Sequence, residues 1–214
     1  MRLVSAYYNE FHPFNTFNIF DTFIGSSSPA ILTQGDVLVV WGGQDIPPEY
    51  YGRSRSWLSG ASMRPNHRDQ VEWSMMQRAK ELNIPIIGVC RGAQMLCALA
   101  GGYLMQHVTH HAGPDHTIVT PTGEQFWVNS LHHQMMVPAN TTHEILGEVA
   151  PNALRSGIYV DEDQPVEHKQ EPELVWFNDV NGLAIQWHPE MQQPQVPSTQ
   201  YIKRVFMEKV VEAV

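Results

Sequence analysis

Ile84-Pro85-Ile86-Ile87-Gly88-Val89-Cys90-Arg91-Gly92 is an apolar run that halts at a cysteine set between two glycines. Its first part, Ile84 to Val89, lacks the polar alternation of a half-exposed strand and reads as a strand buried on both faces. The continuation, Gly92-Ala93-Gln94-Met95-Leu96-Cys97-Ala98-Leu99-Ala100, is a small-residue helix closed by Gly101-Gly102. Working backwards, Asp36-Val37-Leu38-Val39-Val40-Trp41 is a second β-branched run, and it stops at Gly42-Gly43. Between the two lies a loop rich in Pro, Tyr, Ser and Arg (Ile46 to Pro65). After it Asn66 can cap a helix with Val71, Met75, Ala79 and Leu82 on one side, ended by Asn83 and Pro85. Strand, helix, strand, helix is a βαβα unit, which predicts an α/β fold around a mostly parallel sheet.

Working forwards, the pattern from His116 to Val180 changes to short β-like pieces: Thr117 to Val119, Gln125 to Val128, Ile158 to Val160 and Leu174 to Phe177. These read as further strands and an antiparallel edge. Gly182 to Trp187 is another buried-strand candidate, and Ser198 to Val214 reads as an amphipathic helix with Ile202, Val205, Phe206 and Val210 inward. Met1 to Tyr8 reads as the first strand, whereas Phe11 to Ile24 fits helix or loop equally. No domain boundary interrupts the pattern, so residues 1–214 are expected to form a single domain.

Composition narrows the function. The 214 residues carry 13 Lys+Arg against 22 Asp+Glu, a formal charge of −9, which disfavours a nucleic-acid partner. No run approaches the roughly 18 apolar residues of a membrane span, and the first ten residues lack an apolar signal core. A cytoplasmic, unexported protein without membrane association is expected. The two cysteines, Cys90 and Cys97, lie roughly 10 Å apart along one helix, beyond the ~7 Å Cα limit for a disulfide.

The chemistry is expected at two places. Gly88-Val89-Cys90-Arg91-Gly92 is a thiol counterpart of the Gly-x-Ser-x-Gly nucleophile elbow. There a sharp strand-to-helix turn projects the nucleophile from the carboxyl end of the sheet, and flanking glycines let chain pass without a Cβ clash. A helix N-terminus beneath the side chain favours negative charge, and the amide of Arg91 points into the same space as half of an oxyanion hole. The bland alternative is a buried strand-end cysteine. About a hundred residues on, Gln186-Trp187-His188-Pro189-Glu190 follows the last buried strand. A histidine there can take a thiol proton, and a glutamate two residues later can reach its other ring nitrogen. Each motif alone is weak, and the ordered pair is specific.

These blocks, with Trp41-Gly42-Gly43-Gln44-Asp45-Ile46-Pro47-Pro48, Arg68-Asp69, Gly101-Gly102-Tyr103-Leu104-Met105-Gln106 and Val128-Asn129-Ser130-Leu131-His132-His133-Gln134, resemble the class I glutamine amidotransferase-like hydrolases, most of all their γ-glutamyl hydrolase (γ-glutamyl-γ-aminobutyrate hydrolase-like) branch. The resemblance spans about Asp36 to Glu190. It implies a flavodoxin-like three-layer α/β sandwich with a central mostly parallel sheet. It implies Cys90 as nucleophile, His188 as general base and acid, Glu190 as its orienter, and the amides of Gly43 and Arg91 as oxyanion donors. Gln94 with Ser130, Leu131 and His132 would hold a small-molecule γ-glutamyl substrate, with neither metal nor organic cofactor. Two departures stand out: Trp41 replaces the family's usual Pro before the paired glycines, and the segment before Asp36 is short.

Three readings of function follow. The first is a free-standing hydrolase acting on a γ-glutamyl amide. The second is a glutaminase subunit handing ammonia to a separate synthetase partner, and the third is a silent relative used for binding or regulation. Among the remaining features, His107, His110, His111 and His116 lie within ten residues, but their spacing matches no regular zinc motif, so a pocket or structural role is expected. Asp161, Glu162, Asp163, Glu167, Glu171 and Glu173 read as a solvated loop or edge. Arg53, Arg55 and Arg64 fit a substrate carboxylate or an ordinary surface role equally.

Overall fold

The structure is a computed structural model in which residues 1–211 are described. Among these residues nine strands build one sheet: β1 (Arg2–Ala6), β2 (Thr22–Ser26), β3 (Asp36–Val40), β4 (Ile86–Val89), β5 (His116–Val119), β6 (Gln125–Val128), β7 (His143–Val149), β8 (Pro172–Phe177) and β9 (Gly182–Ile185). Their order is β2-β1-β3-β4-β9-β8-β7-β5-β6. The parallel pairings run from β2 to β9, and every pairing from β9 to β6 is antiparallel. The sheet is therefore mixed, and its parallel character is confined to the half built from the βαβα unit.

Two layers of helix cover this sheet because its strands are apolar on both faces. Along β3, Val37 and Val39 enter one apolar cluster while Leu38 and Val40 enter the other, as the two-residue period of a strand requires. The first cluster is closed by Ile202, Val205 and Phe206 of α3 (Pro197–Phe206), each contributing about 1.5–3 kcal/mol by burial. The second is closed by α1 (His67–Leu82) and α2 (Arg91–Ala100). Asn66 and Asp69 form a reciprocal capping box at the start of α1, and Asn83 ends the helix in the left-handed conformation. After α3 the chain continues as a wider helical turn, Met207–Val211. The expected continuation over 212–214 lies outside the described residues.

The Phe11 to Ile24 segment is mostly loop, with one 3-10 turn at Phe14–Thr16 before β2. Phe14, Phe17 and Phe20 are buried against the α3 side of the sheet. The strand β7 does not stand out in the sequence, because irregular register around Gly147 breaks its alternation. Two small sheets lie outside the main one. Tyr103–Met105 pairs with Met135–Val137, and His107–Val108 pairs with Tyr159–Asp161, which in turn pairs with Gln164–Pro165.

Several polar expectations change here. Asp161 to Asp163 do not form a free solvated loop: Asp161 pairs with Arg53 at 3.0 Å, Glu162 accepts the Ser54 amide, and Asp163 accepts the Ser56 hydroxyl at 2.6 Å. Arg53 is therefore committed, and Arg55 donates to the carbonyls of Ala61 and Ser59. No helix among the described residues is long and apolar enough to cross a membrane.

The fold brings the carboxyl ends of β3, β4 and β9 together, the region where parallel α/β sheets place their ligands. The junction of β4 and α2 is crowded: a Cβ on Gly92 would run into the carbonyl of Val40 at the end of β3. Gly92→Ala is expected to destabilise the protein by at least about 3 kcal/mol, at or beyond the upper end of ordinary overpacking. Urea unfolding beside the wild type checks this, and an unchanged midpoint would contradict it.

Candidate active site

Cys90 sits between β4 and α2 with φ 50° and ψ −106°, a conformation that costs a non-glycine residue of order 1–3 kcal/mol. Its amide is tied to the Ile185 carbonyl of β9 at 2.7 Å, so the strained turn is anchored to the next strand. The side chain is buried but borders a cavity of about 380 Å³ lined by Gly43, Gln44, Asp45, Gln94, Leu131, His132 and His133. The first-turn amides of α2 have no helical carbonyl to serve, and Arg91 opens that turn.

His188 follows β9, and its Nδ1 lies 2.6 Å from Glu190 Oε1. Asn129 grips the backbone of His188 from both sides, accepting its amide at 2.8 Å and donating to its carbonyl at 2.9 Å. Burial opposes the imidazolium, but hydrogen bonding and charge from Cys90 and Glu190 outweigh it and raise His188 to about 10. The approach of imidazole to cysteine depends on Gly42, where a Cβ would lie 2.7 Å from His188 Cε1 and 3.5 Å from Cys90 Cβ.

A buried charge network holds the Gly42-Gly43 loop beside this pair. Arg91 extends from the elbow to Asp69 and Glu72 on α1. Glu72 also pairs with Arg68 at 2.9 Å, and Arg68 donates to the carbonyls of Trp41 and Gly42 at 3.1 and 2.8 Å. These contacts fix the carbonyls that precede the Gly42 and Gly43 amides. The side chain of Trp41 turns away from the cavity into the core and donates to Ser5 Oγ at 2.9 Å.

The structure thus brings Cys90, His188, Glu190, Gly43 and Arg91 to one end of the sheet. Gln94, Leu131 and His132 line the cavity, whereas Ser130 does not: its hydroxyl is buried and donates to the His111 carbonyl. Gln94 Nε2 donates to the Gln134 carbonyl at 3.1 Å, and His132 Nδ1 lies 2.7 Å from the same oxygen. Glu72 does not stand out in the sequence, whereas Asp45, Arg68 and Asn129 lie in the blocks that carry the resemblance without a role there, and His133 reads as a pocket or core residue. Arg68 and Glu72 were findable as an i,i+4 pair on α1. His133 pairs with Asp45 at 3.1 Å across the cavity wall, and that partner raises its basicity.

Behind His132 lies a second buried group. Glu171 and Glu173, expected to be solvated, are 0% and 1% exposed and face His111, His116 and His132. They are turned inward because β8 is buried along its whole length. Burial would raise the Glu173 carboxyl, yet the neighbouring His116 and His132 hold it well below the ordinary carboxylate range. His107 and His110 stand apart from this group, His107 packing on His133 and His110 contacting the Arg155 carbonyl.

A cysteine on a strand-to-helix elbow, with a His–Glu dyad after the adjacent parallel strand, defines the cysteine-elbow class of three-layer α/β proteins. Residues 25–121 match the family Peptidase C26, and the chain is similar to glutamine amidotransferase-like proteins. It is 28% identical over 179 residues to the glutamine amidotransferase-like protein YvdE of Lactococcus lactis, covering 74% of this chain and 67% of that protein. It is 25% identical over 174 residues to the gamma-glutamyl-gamma-aminobutyrate hydrolase PuuD of Escherichia coli, covering 68% and 60% respectively. The chain therefore spans about two thirds or less of these curated relatives. The crystal structure of a glutamine amidotransferase from Thermotoga maritima shares the fold, with TM-score 0.54, 12% identity and coverage of 100% of this chain and 85% of that one.

The cause of the raised His188 is directly testable. In Cys90→Ala the histidine loses one of its two favourable partners, so its titration is expected to fall from about 10 towards the ordinary value near 6.5. The variant ring therefore loses its proton at a lower pH than the wild-type ring, though Glu190 still favours the charged form. Imidazole NMR titration reads the difference, and an unmoved midpoint would show that Cys90 does not interact with the ring.

Proposed function

We propose that the protein is a thiol hydrolase that cleaves a γ-glutamyl amide through Cys90, His188 and Glu190. The observation that carries this reading is Cys90, held at φ 50° on the rim of a cavity, with the His188–Glu190 dyad 2.6 Å across its hydrogen bond beside it. The match of residues 25–121 to Peptidase C26 and the likeness to PuuD support the same substrate class.

The proposed reaction begins when His188 takes the Cys90 thiol proton and the thiolate attacks the γ-carbonyl carbon. The amides of Gly43 and Arg91 receive the developing oxyanion, and the Arg68 and Arg91 side chains hold the two amides in register. His188 gives its proton to the departing amine, the C–N bond breaks, and a γ-glutamyl thioester remains on Cys90. Water gives a proton to neutral His188 as its oxygen attacks the thioester carbon, the C–S bond breaks with the Cys90 sulfur recovering that proton, and glutamate leaves. Glu190 keeps the ring oriented in both halves. Gln94, Leu131 and His132 form the wall against which the glutamyl portion rests.

Ammonia or amine release from glutamine and a panel of γ-glutamyl amides tests the proposal. Turnover by the chain alone is expected, abolished in Cys90→Ala and reduced about 10²–10⁴-fold in His188→Ala. An electrophilic glutamine analogue is expected to label Cys90. Labelling without turnover would instead favour a glutaminase component that works only with a synthetase, and absence of both would refute the catalytic reading.

A further inference from the structure

The group behind His132 is built from four separate segments: His111 in a loop, His116 at the start of β5, His132 after β6, and Glu173 on β8. All four side chains are at least 97% buried. Three imidazole nitrogens converge on one oxygen, Glu173 Oε1: His132 Nε2 and His116 Nε2 at 3.3 Å, and His111 Nδ1 at 3.6 Å. None of these contacts has the shape of a hydrogen bond, and His111, His116 and His132 all keep buried ring nitrogens without a partner. One atom each from His111, His132 and Glu173 fit within 4.8 Å of one another.

We propose that this cluster binds a divalent transition-metal ion of the zinc type, held by His111 Nδ1, His132 Nε2 and Glu173 Oε1, with His116 packed against the same carboxylate. Two imidazoles and one carboxylate are a donor set suited to zinc. Ligand atoms about 2.0–2.1 Å from a tetrahedral ion lie about 3.3 Å apart, close to the spacing already present. The outer contacts match as well. His132 Nδ1 is occupied by the Gln134 carbonyl at 2.7 Å, which leaves Nε2 as the free lone pair. His111 Nε2 faces Glu171 Oε1 at 3.4 Å, which leaves Nδ1 directed inward. His132 thus has its second nitrogen anchored by a carbonyl, as metal-bound histidines do, while His111 Nε2 faces a carboxylate without a hydrogen bond.

Charge points the same way. Glu171 and Glu173 bring two carboxylates into a dry region where Arg155 Nε, 4.0 Å from Glu171, is the nearby guanidinium nitrogen. One dication balances both within the cluster, whereas without it Arg155 and at least one imidazolium, packed 4.8–5.0 Å from a neighbouring ring, must do so. The irregular sequence spacing that argued against a metal is explained by ligands drawn from separate segments. The ion would pin the His132 wall of the cavity to β8, independently of the reaction assigned to Cys90.

The test is a titration of the full chain, freed of metal with a chelator, using Zn²⁺ against a chromophoric competitor and Co²⁺ as a spectroscopic probe. One Zn²⁺ per chain is expected, in Cys90→Ala as in the wild type, which separates this site from the thiol. Glu171→Gln is expected to weaken binding about 10–100-fold, and Glu173→Gln by more. Cobalt bound to Cys90→Ala is expected to show intense d–d absorption without a thiolate charge-transfer band, a readout that requires no ligand variant to fold. Failure of Cys90→Ala to take up either ion, or unchanged affinity in a folded Glu173→Gln, would overturn the proposal and leave a proton-balanced cluster.

Discussion

The backbone turn at Cys90 is the constraint on which the arrangement of this protein depends. A residue with a Cβ is held at φ 50° because β4 must end and α2 must begin within one step. That step is sterically open only because Gly88 and Gly92 lack side chains: a Cβ on either would enter backbone, Gly92's own carbonyl in the first case and that of Val40 in the second. The strain, of order 1–3 kcal/mol, is sustained by α2, in which Arg91 to Ala98 are all buried. The same close approach brings the end of β3 against the elbow, so the position of the Gly42-Gly43 loop is decided by the turn that exposes the sulfur.

Steric closeness does not orient the loop, and here the buried charges matter. Arg91, Asp69, Glu72 and Arg68 form a chain from the elbow through α1 to the carbonyls of Trp41 and Gly42. Burying such groups gains little net stability, because desolvation offsets their attraction, while removing one partner leaves a charge that costs about 3–5 kcal/mol. Their effect is geometric: a carbonyl oxygen fixed by a guanidinium on one side fixes the direction of the amide that follows. The His188 side is controlled in the same manner by the neutral clamp of Asn129.

Legibility in the sequence followed the same division. The βαβα unit, the elbow and the His188–Glu190 pair were readable because each is local, written in a run of apolar residues and the few positions after it. The side chains that steady them were not, since Asn129 and His188 are 59 residues apart and Arg91 and Asp69 are 22 apart. Glu171 and Glu173 misled for a related reason. In a stretch with Glu167 and Lys169 they look solvated, and only the position of β8 in the middle of the sheet turns them inward. The histidines of 107–116 looked like one group along the chain, yet the fold divides them between two environments.

These features distribute unequally over the sheet. Cys90 and His188 emerge from strands buried on both faces and paired to neighbours on both sides, where local opening requires breaking the main core. The opposite wall of the cavity is carried by three-residue strands, Tyr103–Met105 and Met135–Val137, and by the loop from Asn129 to Gln134. Such short strands do not hold a shape unaided. Their anchorage is the Gln134 carbonyl, shared by Gln94 and His132, and the buried cluster that joins His132 to Glu173 of the main sheet. This wall of the cavity therefore depends on one polar junction, while Cys90 and His188 beside it depend on the apolar core.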